Sequence, residues 1–250
     1  MPPDELLALF ERMATAVGDA LAPIAGPARR ARTAKPGQYA IDLVADAVAL
    51  RELRGAGLAV LSEESGRTGP TDSAYTIVLD PVDGSTNASR HLPYWCTSIC
   101  ALGPDGPEVA LVVNQATGVR YRAIRGRGAT RDGVLIRASD ATTIESSFVA
   151  LSSIPAHPLA WKQCRILGSA ALALCDVATG AFDAYLDLES MHAPWDYLGG
   201  LLIAFEAGAS LRDAQGRRLD VADADARRQI VAAGTLELLD RLAPTVRGSE

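Results

Sequence analysis

Acidic residues at three places in this 250-residue chain have spacing that could serve chemistry. The most informative stretch is Asp80-Pro81-Val82-Asp83-Gly84-Ser85-Thr86-Asn87, which follows the apolar run 75–79. Two carboxylates stand three residues apart around a proline that restricts the backbone. Gly84 permits a sharp turn, and the polar residues after it can start a helix. A strand-to-helix turn of this kind points backbone N–H groups at an anion. Carboxylates beside such a nest would repel a phosphate unless divalent cations lay between them, so the segment predicts a metal-bridged phosphate site. The competing reading is an Asp-Gly turn with a capping aspartate.

Two further acidic positions strengthen the first reading. Glu63 and Glu64 follow another short apolar run, and Asp196 stands beside Trp195 at the start of an apolar helix. Each has a plainer explanation, a solvated surface pair for the glutamates and a helix cap for Asp196. The four cysteines (Cys96, Cys100, Cys164, Cys175) lack metal-type spacing and read as reduced core residues of a cytoplasmic protein. The three histidines form no metal cluster, and His192 reads as a helix-flanking surface residue. Arg120, Arg122, Arg125, Arg127 and Arg131 could grip an anionic polymer or substrate phosphates, but on alternating strand positions they read first as a solvated sheet face. The net charge of −6 disfavours a bulk grip on nucleic acid or anionic membrane. No apolar run approaches the roughly 18 residues a membrane span needs. The acidic N-terminus does not read as a secretory signal.

These residues need a frame to bring them together. Apolar positions from Leu6 to Ile24 recur at three- and four-residue steps and predict an opening helix ended by Gly26-Pro27. The basic segment 28–38 reads as a mobile loop, and a second helix is expected over 41–54. Short strands are expected over 58–61 and 75–79, then an antiparallel meander over 96–102, 108–113 and 119–124. From residue 148 the pattern changes to strand (148–151), helix (169–179), strand (182–186), helix (194–207), strand (229–233) and a closing helix from Thr235. That alternation predicts layered α/β packing behind a more antiparallel first half. The expected division is an N-terminal half, 1–140, carrying most of the acidic motifs, and a C-terminal half, 141–250, completing the site as one compact unit.

With the motifs in place, the chain resembles the inositol monophosphatase family of metal-dependent, lithium-sensitive phosphatases. The Glu63-Glu64 pair, the D-P-x-D-G-[ST]-x-N element at 80–87 and Trp195-Asp196 occur in family order. Gly168-Ser169-Ala170-Ala171-Leu172 and the glycine hairpin 126–133 also match. The resemblance covers about residues 38–235 and implies an α-β-α-β-α sandwich, commonly a homodimer. It makes Glu63, Asp80, Asp83, Asp196 and the Val82 carbonyl the ligands of two or three Mg²⁺ ions, an all-oxygen set that suits this cation and not Zn²⁺. Ser85 and Gly84 would face the phosphate, with Asp83, Thr86, Ser169, Ala170 and Glu189 also contacting substrate. Asp42 is assigned over Asp46 as the catalytic carboxylate closing a V-T-x-x-D element, although this chain has no threonine there and reads Tyr39-Ala40-Ile41-Asp42. The implied reaction is hydrolysis of a small phosphate monoester by water, with inositol monophosphate as first substrate. Histidinol phosphate, fructose 1,6-bisphosphate and 3′-phosphoadenosine nucleotides are the alternatives within the family. A non-catalytic or RNA-associated binding protein is the alternative from another class.

Overall fold

A computed structural model of the chain describes residues 1–155 and 160–246; His157 lies outside these. The chain opens with α1 (Pro3–Leu21), whose Leu6, Phe10, Met13, Val17 and Leu21 form a buried stripe. It ends before Pro23, earlier than periodicity suggests. Gly26-Pro27, expected only as a breaker, starts the one-turn helix α2 (Gly26–Arg29). The basic segment after it is tied down at several points. Arg29 is buried and donates from Nε to the Ala88 carbonyl (2.7 Å) and from Nη1 to the Leu21 and Ile24 carbonyls (both 3.1 Å). Arg32 pairs with Tyr39 in an isolated bridge, leading into α3 (Ala40–Arg54).

Residues 59–135 build the first sheet from β1 (Ala59–Ser62), β2 (Gly66–Thr68), β3 (Thr76–Asp83), β4 (Cys96–Gly103), β5 (Gly106–Asn114), β6 (Arg120–Ile124), β7 (Ala129–Arg131) and β8 (Val134–Leu135). Their order is β2-β1-β3-β4-β5-β6-β7-β8, with β1 and β3 parallel and the other pairs antiparallel, so the meander forms as expected. After β3 comes the short helix α4 (Ser85–Ser89). The second sheet uses β9 (Phe148–Leu151), β10 (Gln163–Arg165), β11 (Ala184–Leu186), β12 (Ser210–Asp213) and β13 (Ile230–Ala233), in the order β10-β9-β11-β13-β12. The helices α5 (Ala170–Ala178), α6 (Pro194–Glu206) and α7 (Leu236–Val246) complete the chain.

Alternating side chains define the layers. On β3 and β5, Ile77, Leu79, Val109, Leu111 and Val113 face α1 and α3, whereas Val78, Ala110 and Val112 face α5 and α6. The second sheet presents Ala150, Tyr185, Ile230 and Ala232 to that same α5–α6 layer, and Val149, Leu186, Val231 and Ala233 to α7. The result is an α-β-α-β-α sandwich. Its middle layer is packed closely: a Cβ on Gly200 of α6 would stand 2.7 Å from Leu174 Cβ and 2.9 Å from the Ala171 carbonyl oxygen of α5. Among the described residues, no helix is long and apolar enough to cross a membrane.

Candidate active site

The acidic motifs meet where β1 and β3 end and α4, α5 and α6 begin. β3 runs further than its apolar stretch suggests, through Asp83, with its pairing to β4 interrupted between Asp80 and Asp83. Pro81 has no N–H to give the ladder, and the break turns Asp80 and Asp83 away from strict alternation. The Val82 N–H donates to Asp80 Oδ1 (3.0 Å). Gly84 then takes a left-handed conformation (φ 87°), and a Cβ there would stand 3.0 Å from the Gly168 carbonyl and 3.1 Å from that of Tyr94. Glycine is therefore required both by angle and by space. Asn87 fixes the short helix that follows, donating from Nδ2 to the Tyr94 and Leu167 carbonyls (both 2.7 Å).

Asp83 Oδ2 accepts from Ser169 Oγ (2.6 Å) and from the Ala171 N–H (2.8 Å). The first turn of α5 is thus seated on this carboxylate, and Ser169 also caps the helix. Asp196 closes the start of α6 by accepting the Ala193 N–H at Oδ2 (2.7 Å).

Electrostatics join the four acids. Burial pushes Glu63 up to about 8, and repulsion from Asp196, Glu64 and Asp83 adds to the shift. Asp80 is driven well above the carboxylate range by burial, then by Glu63, Asp83 and Asp196. Asp83 rises to about 6 through burial, with the Ser169 bond opposing and Asp196 repulsion adding. Carboxylates buried beside one another are held apart from their ordinary charge state until a cation joins them. Among the described residues no three His, Cys, Asp or Glu side chains stand close enough together to hold a metal ion as they are placed. The donor chemistry nonetheless fits hard divalent cations, since every group in the patch offers oxygen.

Asp42 and Asp46, one turn apart on α3, are used differently. Both Asp46 oxygens accept hydroxyls, Oδ1 from Ser62 (2.5 Å) and Oδ2 from Ser65, which fixes the turn carrying Glu63 and Glu64. Asp42 Oδ2 accepts the Tyr39 N–H (2.7 Å), while its Oδ1 is buried without a protein partner among the described residues. Burial raises the Asp42 pKa to about 7. Glu64 is tied back to the basic segment through Gln38 and Lys35. Ser85 is half-buried and Thr86 exposed at the start of α4.

A cleft of about 200 Å³ opens beside the patch, lined by Asp83, Ser152, Gly168, Ser169, Ala170, Tyr185, His192 and Asp196. His192 is not the surface residue that its flanking position suggests. Its Nε2 lies 2.5 Å from the Tyr185 hydroxyl and its Nδ1 lies 3.6 Å from Asp196 Oδ2. Burial disfavours its charge, yet Asp196 and Asp187 outweigh burial and hold its pKa above the usual histidine value. Glu189 is exposed and is not among the residues lining the cleft. The acid beneath this wall is Asp187, 1% exposed, whose Oδ1 accepts from Ser152 Oγ (2.9 Å) and whose Oδ2 is buried without a partner among the described residues. Sequence reasoning missed Asp187, Tyr185 and His192. Only alternation continued one residue past β11, which would send Tyr185 and Asp187 to one face, hinted at the first two.

The arginines on β6 and its hairpin are engaged elsewhere. Arg120 and Arg122 share Glu11 of α1, Arg127 pairs with Asp4, and Arg125 bonds the Asp105 and Pro107 carbonyls. Arg131 lies over the Tyr121 ring. Cys96, Cys100 and Cys175 are buried free thiols, while Cys164 on β10 is only half-buried.

Residues 39–250 match the inositol monophosphatase family. A fructose-1,6-bisphosphatase/inositol-1-monophosphatase of Archaeoglobus fulgidus is 37% identical over 201 residues, 78% of each chain. A protein of the same description from Methanothermobacter thermautotrophicus is 31% identical over 263 aligned positions, 94% of each chain. Among solved structures, a Pyrococcus horikoshii protein described as similar to inositol-1 monophosphatase superposes with a TM-score of 0.88 at 26% identity, covering 98% of this chain and 99% of its own.

Proposed function

The chain belongs to the inositol monophosphatase family and is a phosphatase of that family, and from this premise we propose that it hydrolyses polyol phosphate monoesters, inositol monophosphate first among them, by metal-assisted attack of water. The observation that carries the reading is the patch of mutually repelling carboxylates, Glu63, Asp80, Asp83 and Asp196, of which Asp83 and Asp196 line a cleft next to the Gly84 turn. With the Val82 carbonyl, these side chains would hold two or three Mg²⁺ ions. Such cations, when bound, supply positive charge to the phosphate oxygens and the leaving group and make a water nucleophilic at neutral pH.

The chain's own groups do the rest. The left-handed Gly84 presents the backbone N–H groups of the turn to the phosphate, where fixed donors stabilise developing charge without reorganising. The Ser85 hydroxyl orients the attacking water. Asp42, with Oδ1 unengaged and a pKa near 7, accepts its proton, as suits a base that must take up and return a proton near neutrality. On the cleft side, Ser169, Tyr185 and His192 offer polar groups to the hydroxyls of a polyol, and the leaving alkoxide departs into that cleft. The homodimer implied by the sequence resemblance belongs to the same reading.

Fructose 1,6-bisphosphate is the second reading, favoured because both archaeal relatives above carry that activity in their names. The test is phosphate release from inositol 1-phosphate, fructose 1,6-bisphosphate, histidinol phosphate and phosphoadenosine phosphate, with Mg²⁺, with EDTA and with Mg²⁺ plus Li⁺. Release from inositol 1-phosphate that needs Mg²⁺ and falls with Li⁺ is expected. A clear preference for fructose 1,6-bisphosphate would select the second reading, and release from none would remove both.

A further inference from the structure

The segment before Asp42 carries no threonine, and the tyrosine at its start makes contacts that the mechanism above does not use. Tyr39 is only 3% exposed although it begins a surface helix. Its backbone N–H holds Asp42 Oδ2 (2.7 Å), and its phenol oxygen lies 3.3 Å from Thr86 Oγ1, 47 residues away on α4. One residue therefore spans from the catalytic carboxylate to the turn that faces the phosphate. The phenol is itself fixed. Arg32 donates from Nη2 to its oxygen (2.7 Å) and lies over its ring at 4.0 Å from the centroid, a stacked cation contact that locks the ring plane. Ser89, buried at the end of the same short helix, donates to the Thr86 carbonyl (2.8 Å) and is a second hydrogen-bonding partner of the phenol on α4.

We infer that Tyr39, braced by Arg32, is a positioning residue for this reaction, setting the Ser85–Thr86 turn in register with Asp42. Helix α4 has only five residues and too few internal bonds to hold its own orientation. Asn87 anchors it toward the 94 and 167 carbonyls, and Arg29 holds its last turn through the Ala88 carbonyl. Of these anchors, Tyr39 alone joins Thr86 to the helix that carries Asp42. Loss of the phenol oxygen leaves substrate groups in place but loosens the relation between proton acceptor and nucleophile, so the effect falls on turnover.

This inference rests on the proposed phosphatase chemistry, and the wild-type enzyme assayed in parallel separates the two, since an inactive wild type would sink the chemistry and not the contact. Tyr39→Phe keeps the ring under Arg32 and removes only the hydroxyl. Thr86→Val, at an exposed position, removes the Thr86 end of the contact and leaves the phenol its Ser89 partner. Each is expected to lower kcat about tenfold with KM within about twofold of wild type, the protein remaining folded at the assay temperature with a melting temperature lowered by no more than several degrees. The double variant should be no worse than the poorer single one, because both remove the same contact. Unchanged kcat in either single variant overturns the inference, as do losses that multiply in the double variant.

Discussion

At the scale of single residues the site is governed by repulsion. Asp83 is the most informative case, since one oxygen serves two structural bonds while its charge is opposed by Asp196. Asp83→Asn retains an oxygen able to accept from Ser169 and Ala171 but removes the negative charge. Phosphate release should fall at least about a hundredfold, because charge stabilisation in the transition state carries most of the rate. The melting temperature of the metal-free variant should equal or exceed that of the metal-free wild type, since the neighbouring acids then repel less. Full activity in this variant, measured by phosphate release beside a thermal melt, would remove Asp83 from the site. His192 shows the opposite situation. It is a half-buried ring drawn toward two acids, and its place in the cleft wall depends on Tyr185 as much as on its own position in the sequence.

At the scale of elements, the turn from β3 into α4 sets what the residues can do. Gly84→Ala would combine left-handed strain with contacts at 3.0 and 3.1 Å to two carbonyl oxygens. It is expected to destabilise the fold by about 2 kcal/mol, several degrees in melting temperature, and to lower activity far more than a surface substitution would. A thermal melt with no displacement would contradict the tightness assigned to this turn. Elements whose cause is local are the ones legible in the sequence. The stripe from Leu6 to Leu21 reads directly as α1, and apolar runs at 96–102 and 108–113 read as paired strands because alternation and turns are near-neighbour properties. The edge strands β2, β10 and β12 are harder to see, since three or four half-buried residues leave no periodic trace. Arg29 and the β6 arginines illustrate the other limit. Their partners lie far along the chain, 59 residues for Ala88 and 109 for Glu11, so a basic run reads as a loop or an open surface until the fold closes. The carboxylates of the site were legible as motifs. That Asp187 stands behind the cleft, and Glu189 outside it, depends on where a short strand ends, which no spacing reveals.

At the scale of the whole molecule, the layered fold gathers acids from separate elements and so stores their repulsion, which the rest of the core must outweigh. The sandwich places β1, β3 and the starts of α4, α5 and α6 at one rim, and two core clusters hold that rim from the two faces of the first sheet while the third packs the second sheet against α7. Carboxyls whose pKa is higher in the folded chain than in the unfolded one bind protons more tightly when folded. Their contribution to stability is present at low pH and is lost as pH rises through the folded value. Their ordinary values lie near 4, so Asp83 near 6, Asp42 near 7 and Glu63 near 8 spread that loss from about pH 4 up to about pH 8 for the metal-free protein. His192, also raised, has the same sign. The ion-paired Asp213, held down near 2, acts only at far lower pH. The most direct measurement is therefore the melting temperature of chelator-treated protein across about pH 4.5 to 8.5, with and without added Mg²⁺. The metal-free melting temperature should fall as pH rises through this window, and Mg²⁺ should restore it most at the alkaline end, because a cation binding only the folded state stabilises it. A melting temperature indifferent to both pH and Mg²⁺ would contradict a carboxylate patch built to hold divalent cations.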